Sequence, residues 1–379
     1  MYPWRQQNHF ELLKDGEQYF PSILQAVHQA KHYIFIEMYL VASGAIATAV
    51  IDALILSASR GVQVYLLFDA HGSFMLSNAD RYRLSQYTSI HLHFYNPLRF
   101  SVNWRDWRNY LYRDHRKLIV VDDKIAFTGG TGFTDEFDVQ MSGGKHWRET
   151  LVCIRGECVW DWRDAFIQQW LLASKTPCRL VPPKTTIDSD CVQTGRVVLS
   201  PERRRREVQR SLINEIRHAT DKVYISSAYF VASRKIRRTL RRAARRRVDV
   251  RLLLPGPEID HPSVRHMARR FYLRLLRNKI RIYEYQPRFL HSKVLLCDHW
   301  VSIGSTNIDR WNLRWNFEAN QEIRDIQFAA NIKKMFEEDF RQSVELNYDA
   351  WCQRTVYGRL LEWFWGKVDR VLANIHRHR

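Results

Sequence analysis

The sequence predicts a duplicated α/β fold: two α/β/α sandwich domains with mixed sheets, related by a pseudo-twofold axis. Three observations predict it. The chain has 379 residues, room for two domains at roughly 100–200 residues each. Three sequence blocks occur twice, in the same order. Within each copy, short apolar runs alternate with helix-length segments, the pattern of a mixed sheet covered on both faces.

The first block pairs HYIFIEMYLVAS (32–43) with KVYISSAYFVAS (222–233), a strand in each copy. The second pairs ASRGVQVYLLFD (58–69) with AARRRVDVRLLLP (243–255), the strand that follows the intervening helix. The third pairs RDHRKLIVVDDKIAFTGGTG (113–132) with FLHSKVLLCDHWVSIGSTN (289–307), which reads as a hairpin around an Asp-containing turn. The offsets are 190, about 186 and 176 residues, as expected of one duplicated half. The apolar stretch 34–56 is cut by Glu37 and Asp52, leaving 14 uncharged residues, short of the ~20 a bilayer span needs. It reads as a buried strand and a buried helix. Its counterpart in the second copy, RKIRRTLRRAARRR (234–247), is an amphipathic surface helix with Ile236, Leu240, Ala243, Ala244 and Val248 on one face. The expected organisation is a first domain at 1–180, a linker at 181–195, a second domain at 196–350 and a C-terminal segment at 351–379.

Composition narrows the function classes. Apolar residues at 45% and charged residues at 26% exclude a disordered or collagen-like chain. The excess of 59 Lys and Arg over 40 Asp and Glu gives +19, a surface suited to polyanions: nucleic acid, an anionic membrane or a phosphorylated substrate. Six scattered cysteines, without CxxC spacing, indicate neither a disulfide framework nor a zinc site. No cleavable signal is expected at the start of the sequence.

The third block carries the chemistry. His115-Arg116-Lys117 and His291-Ser292-Lys293 head buried strands, where alternation puts His and Lys on one face. Beside each lies a tight turn, Gly129-Gly130 or Gly304-Ser305. A cation beside an imidazole forms a pocket for an anion. The full pattern HxKxxxxD occurs twice, as His115/Lys117/Asp122 and His291/Lys293/Asp298. It closely resembles the phospholipase D superfamily over residues 10–345. Phrases such as HWRETLVCIRG and GSTNIDRWNLRWNFEAN resemble bacterial cardiolipin synthases, most closely the B branch without paired N-terminal membrane helices.

The resemblance implies one shared active site with six catalytic-motif residues: His115, Lys117, Asp122, His291, Lys293 and Asp298. One imidazole attacks a phosphodiester phosphorus and the other moves the proton. By the family pattern His115 is the nucleophile and His291 the acid and base, with Lys117 and Lys293 on the nonbridging oxygens. Ser305 and Asn307 are expected to bind the same oxygens. No metal or cofactor is called for. The imidazoles need orienting acceptors, and strand rise carries Asp122 and Asp298 away toward the turns. Both are therefore read as structural. Glu149 and Glu318 are the orienters, Glu149 expected on His115 and Glu318 on His291. Gly132 stands where the family has Asn, Glu149 where it commonly has Asp, and the second hairpin is one residue shorter, a deletion expected in its turn.

Fold does not fix substrate. The resemblance implies transfer between two phosphatidylglycerols to give cardiolipin, with hydrolysis of a phospholipid or nuclease action as the alternative. The Arg runs 203–206 and 234–247 read as solvated helix faces, so nucleic acid is disfavoured as partner. The segment 354–379 places Leu361, Trp363, Phe364, Trp365 and Val368 among Arg and Lys at near-helical spacing. That pattern suits either a membrane interface or docking on its own domain. With 13 Trp and the basic surface, it leads to an expected peripheral placement on the anionic cytoplasmic face of a bacterial inner membrane.

Overall fold

The structure, a computed structural model, describes residues 2–97, 112–178, 190–200, 207–309, 316–355 and 360–368. The first half contributes β1 (Arg5–Lys14), β2 (Tyr33–Met38), β3 (Gln63–Asp69), β4 (Ile90–Tyr95), β5 (Arg113–Asp114), β6 (Lys117–Val121), β7 (Ile125–Gly129) and β8 (Thr150–Gly156). The second contributes β9 (Gln193–Ser200), β10 (Lys222–Ser226), β11 (Asp249–Pro255), β12 (Arg281–Tyr285), β13 (Val294–Cys297), β14 (Trp300–Gly304), β15 (Asn316–Arg324) and β16 (Ser343–Glu345). The order in the first half is β1-β8-β7-β6-β2-β3-β4, and in the second β9-β15-β14-β13-β10-β11-β12-β16. In each half the β2–β3–β4 or β10–β11–β12 pairs are parallel and the rest antiparallel. These are mixed sheets with the same topology twice.

The halves are joined more closely than the repeat alone implies. β1 and β9 pair antiparallel through Arg5 with Gly195 and Asn8 with Gln193, so the two sheets form one continuous sheet. Each strand would otherwise be an exposed edge, and pairing removes two edges at once. Gln193, Thr194 and Gly195 are thus strand, although the sequence reading put them in the linker. Residues 181–189 and the Arg run 203–206 lie outside the described residues.

Helices cover both faces. Glu157–Ser174 and Ile326–Arg341 pack Trp162, Phe166, Phe336 and Phe340 into a core shared by the two halves. On the other face each half has its own core, under Asp15–Gln29 and Ala45–Ser59 in the first and Glu207–His218 and Arg234–Arg245 in the second. Arg234–Arg245 buries Ile236, Thr239, Leu240 and Ala243 and turns most of its arginines outward, with Arg237 half-buried over the Phe271 ring. The stretch 34–56 is the buried strand β2 and the helix Ala45–Ser59.

The motif aspartates hold the hairpins. Asp122 accepts from the backbone N–H groups of Lys31, His32 and Tyr33 at 2.7–2.9 Å. Asp298 accepts from Thr220, Asp221 and Lys222 at 2.8–3.0 Å. Both adopt left-handed backbone, φ 53°, as tight turns demand. The missing residue of the second hairpin falls in its turn: Val121 pairs with Ile125 across three residues, Cys297 with Trp300 across two. Asp122→Ala strands one buried and two part-buried donors and is expected to cost about 3 kcal/mol. Asp298 is half-buried, so water can replace it, and Asp298→Ala is expected to cost about 1 kcal/mol. Urea unfolding of the two variants checks the order.

Candidate active site

The site forms where the halves meet, and local pairing explains its geometry. β5 runs parallel to the start of β15, Asp114 opposite Phe317, and the His115 N–H donates to the Phe317 carbonyl at 3.0 Å. At the related place Arg148 bridges to Leu290, and the His291 N–H donates to the Arg148 carbonyl at 2.9 Å. Each histidine strand is thus registered against the other half. The next residue along, Glu318 or Glu149, is delivered to the ring of the opposite copy.

The orienting carboxylates are therefore exchanged relative to the sequence reading. His115 Nδ1 meets Glu318 Oε2 at 3.2 Å, and His291 Nδ1 meets Glu149 Oε2 at 2.6 Å. The expected Glu149–His115 and Glu318–His291 pairs are corrected: proximity along the chain was the wrong guide, because pairing across the dyad sets these neighbours. With Nδ1 of both rings facing a carboxylate, Nε2 is the atom left for chemistry. Asp122 and Asp298 bond backbone elsewhere, as described above, and take no part at the rings.

The lysines complete the cluster. Lys293 Nζ lies 2.8 Å from His291 Nδ1 and 3.4 Å from Glu149, while Lys117 Nζ donates to the His115 carbonyl at 2.6 Å. Between them, residue x of each motif points away and is satisfied differently. Arg116 pairs with buried Glu37 at 3.4 Å, and Ser292 meets Ser226 at 2.5 Å. Gly130 is fixed by the site: a Cβ there would lie 2.2 Å from Glu149 Oε2. Its counterpart Ser305 donates to Glu318 and accepts from the Ala319 N–H at 3.1 Å, so its hydroxyl supports the carboxylate instead of facing a phosphate. Gly132 is also a packing choice, since a Cβ would meet the Leu40 carbonyl at 2.7 Å. Asn307 is fully buried with neither amide atom hydrogen-bonded, a donor available to a phosphate oxygen.

Burial shapes the protonation states. It lowers His115 well below the ordinary range and His291 to about 4, with the adjacent lysines adding to both shifts. It brings Lys117 down to about 7 and lowers Lys293 as well. The carboxylates diverge. Burial lifts Glu318 to about 8 against the pull of Lys117, whereas at Glu149 burial is outweighed by Lys293 and His291, which hold it ionised. Both rings rest neutral, suited to nucleophile or base. An anion placed between the lysines favours imidazolium and must raise the His291 pKa. Ring ¹⁵N NMR is expected to show His291 neutral at pH 6, with its titration moving upward by about one unit or more in saturating inorganic phosphate. A downward shift would contradict the arrangement.

Aromatic residues that the motif did not reveal wall the site unequally. Tyr39 packs on His115 at 4.7 Å between centroids, and Lys117 Nζ sits 4.9 Å from the Tyr39 ring centroid. Trp147, Phe137 and Phe289 surround His291 at 5.0–5.6 Å. Tyr39 occurs as Tyr229 in the second copy of the repeat, a signal the sequence did hold. Phe137 and Trp147 lie outside the matching blocks, and Phe289 aligns with Arg113 in the third block, where no aromatic residue is repeated.

Residues 360–368 are helical, tied to the preceding chain by Arg354 with Glu362 at 2.8 Å, and dock on the second half through Arg270, which donates to the Gly366 carbonyl at 2.7 Å. Leu360, Trp363 and Phe364 stay 52–59% exposed. The rest of the aromatic segment, 369–379, lies outside the described residues. Among the described residues no helix is long and apolar enough to cross a membrane.

Two His/Lys pairs brought together at the dyad of a duplicated α/β fold define a phospholipase D-like protein. The family model "Cardiolipin synthase, PLD-like domain" matches residues 23–163 and 212–340. Relatives named cardiolipin synthase align over nearly the whole chain. Cardiolipin synthase 1 of Bacillus anthracis is 30% identical over 96% of this chain and 72% of its own length. Cardiolipin synthase A of Pseudomonas aeruginosa is 31% identical over 97% and 73%. The chain belongs to the phospholipase D-like cardiolipin synthase family. These relatives do not single out the B branch. In fold it matches the phosphatidylserine synthase of Haemophilus influenzae, with TM-score 0.75 at 14% identity over 98% of this chain and 96% of that one.

Proposed function

We propose that this chain is a phosphatidyltransferase that joins two phosphatidylglycerols into cardiolipin and releases glycerol. The observation that carries the chemistry is the pair of buried imidazoles, each held at Nδ1 by the other half's glutamate and flanked by a lysine. The family membership supports the substrate. His115 Nε2 attacks the phosphorus of one lipid, forming a P–N bond, while the P–O bond to glycerol breaks and His291 gives that oxygen its proton. A hydroxyl of the second lipid then loses its proton to His291, its oxygen bonds phosphorus, and the P–N bond breaks. Lys117, Lys293 and Asn307 hold the nonbridging oxygens as charge builds. Glu318 and Glu149 keep the rings aligned, and Asp122 and Asp298 act only through the hairpins.

The protein works as a peripheral enzyme at the cytoplasmic face of the bacterial inner membrane, drawn to anionic lipid. Its +19 charge and the exposed Leu360, Trp363 and Phe364 support that placement. Sedimentation with phosphatidylglycerol vesicles is expected to show binding that weakens as salt rises. Thin-layer chromatography of purified protein with labelled phosphatidylglycerol tests the activity. Cardiolipin and glycerol are expected in equal amounts, and plasmid DNA should stay intact. Phosphatidic acid as the main product would make the chain a hydrolase, and plasmid cleavage would make it a nuclease.

A further inference from the structure

A cavity lies beside His291. It holds about 270 Å³, just below the ~300–1,000 Å³ of pockets for drug-sized ligands, and so has the size of a head group. Trp147 and Phe289 form one wall, and the same two rings pack on His291 at 5.0 and 5.6 Å between centroids. Asp260, also in the lining, acts electrostatically on both His291 and Lys293, which places the cavity within reach of the reacting groups.

Its polar lining has both signs. Lys145 is exposed and has no carboxylate within ion-pair distance among the described residues. The Arg288 guanidinium is anchored by Asp15 at 2.5 Å, yet its Nε is buried without a hydrogen-bond partner. The same lining includes Glu258 and Asp260, the latter accepting from the Tyr229 hydroxyl. A bare anion would leave the carboxylates repelled, and a bare cation would do the same to Lys145 and Arg288. A ligand with one phosphate and free hydroxyls satisfies both sets.

We propose that this cavity receives the phosphoglycerol head group of the acceptor lipid, a deepening that rests on the transferase reading above. Lys145 and Arg288 hold the acceptor's own phosphate, whose charge must be kept from the phosphate being transferred. Glu258 or Asp260 accepts a hydrogen bond from the secondary glycerol hydroxyl. The terminal hydroxyl then lies at His291, which takes its proton as the new P–O bond forms. The His115–phosphorus bond breaks and its electron pair returns to Nε2. By microscopic reversibility the glycerol of the donor leaves through the same space, so the position of the cavity also supports His291 as acid and base.

The test supplies a phosphatidyl p-nitrophenyl diester as donor in mixed micelles, with two competing soluble acceptors, glycerol and glycerophosphoglycerol. The wild type is expected to favour the phosphate-bearing acceptor. Lys145→Glu is expected to lower that preference by about tenfold or more, through the acceptor KM. Lys124→Glu, at the distant β6–β7 turn, serves as control and retains the wild-type preference. Because Lys145 is exposed, its replacement does not threaten the fold as Arg288→Ala would. Equal use of both acceptors by the wild type, or an unchanged preference in Lys145→Glu, would overturn the subsite while leaving the transferase reading intact. Release of p-nitrophenol with water as the only acceptor would overturn that reading and the subsite with it.

Discussion

Replacing His115 with alanine is expected to abolish the covalent intermediate and to lower turnover by about 10⁴-fold or more, the scale seen when a nucleophile is lost from a catalytic constellation. The argument is one of bonds. Without an imidazole Nε2 to form the P–N bond no phosphoenzyme can arise, whatever the leaving group. His291→Ala is expected to lose turnover on phosphatidylglycerol to a similar degree, because a glycerol alkoxide leaves poorly without a proton. With a p-nitrophenyl diester, whose leaving group needs no proton, His291→Ala should still release one equivalent of p-nitrophenol in a burst. The trapped species should be labile in acid and stable in base, as a phosphoramidate is. A burst from His115→Ala but not from His291→Ala would reverse the two roles.

Arg148→Ala is expected to destabilise the protein by about 3–5 kcal/mol, the cost of breaking a buried ion pair from one side. Arg148 is fully buried. It donates to Asp339 from Nε at 3.2 Å and from a terminal nitrogen at 2.9 Å, to the Glu149 carbonyl at 2.5 Å and to Thr150 Oγ1 at 3.0 Å. Burial works against its charge, but Asp339 and Asp15 outweigh it and keep the guanidinium protonated. Since Arg148 lies on the segment leading into β8 and Asp339 on the helix Ile326–Arg341, this pair bolts the first half to the second. Removing the arginine leaves buried Asp339 with only Lys14, 3.9 Å away, among the described residues, and loosens the segment that carries Glu149. Chemical denaturation should therefore show the stability loss, and the remaining folded protein should turn over slowly. The double variant Arg148→Met with Asp339→Leu is expected to recover much of the stability without the activity.

Much of this was legible in the sequence because the duplication exposed it. One His-x-Lys at a strand head says little. Two in register, each ahead of a Gly-containing turn, located the chemistry, the repeated mixed-sheet halves and the place of the one-residue deletion. Asp122 and Asp298 could be set aside as turn residues because strand rise alone carries them away from the rings. The exchange of Glu149 and Glu318 was not legible. It depends on Asp114 lying beside Phe317 and Leu290 beside Arg148, contacts across the dyad that no local pattern encodes. Ser305 was misread for the same reason, since its partner Glu318 becomes important only once that carboxylate is known to face His115. The joining of the two sheets through β1 and β9 was hidden by the short pairing, two matched positions around an irregularity.

The central claim is that the two halves make one site in which each imidazole is oriented by the carboxylate of the other half. Ring ¹⁵N NMR of the Glu318→Gln and Glu149→Gln variants tests it most directly. The account predicts that Glu318→Gln moves the Nδ1 resonance of His115 and leaves that of His291 in place, and that Glu149→Gln does the reverse. A Glu149→Gln spectrum in which His115 moves and His291 does not would contradict it.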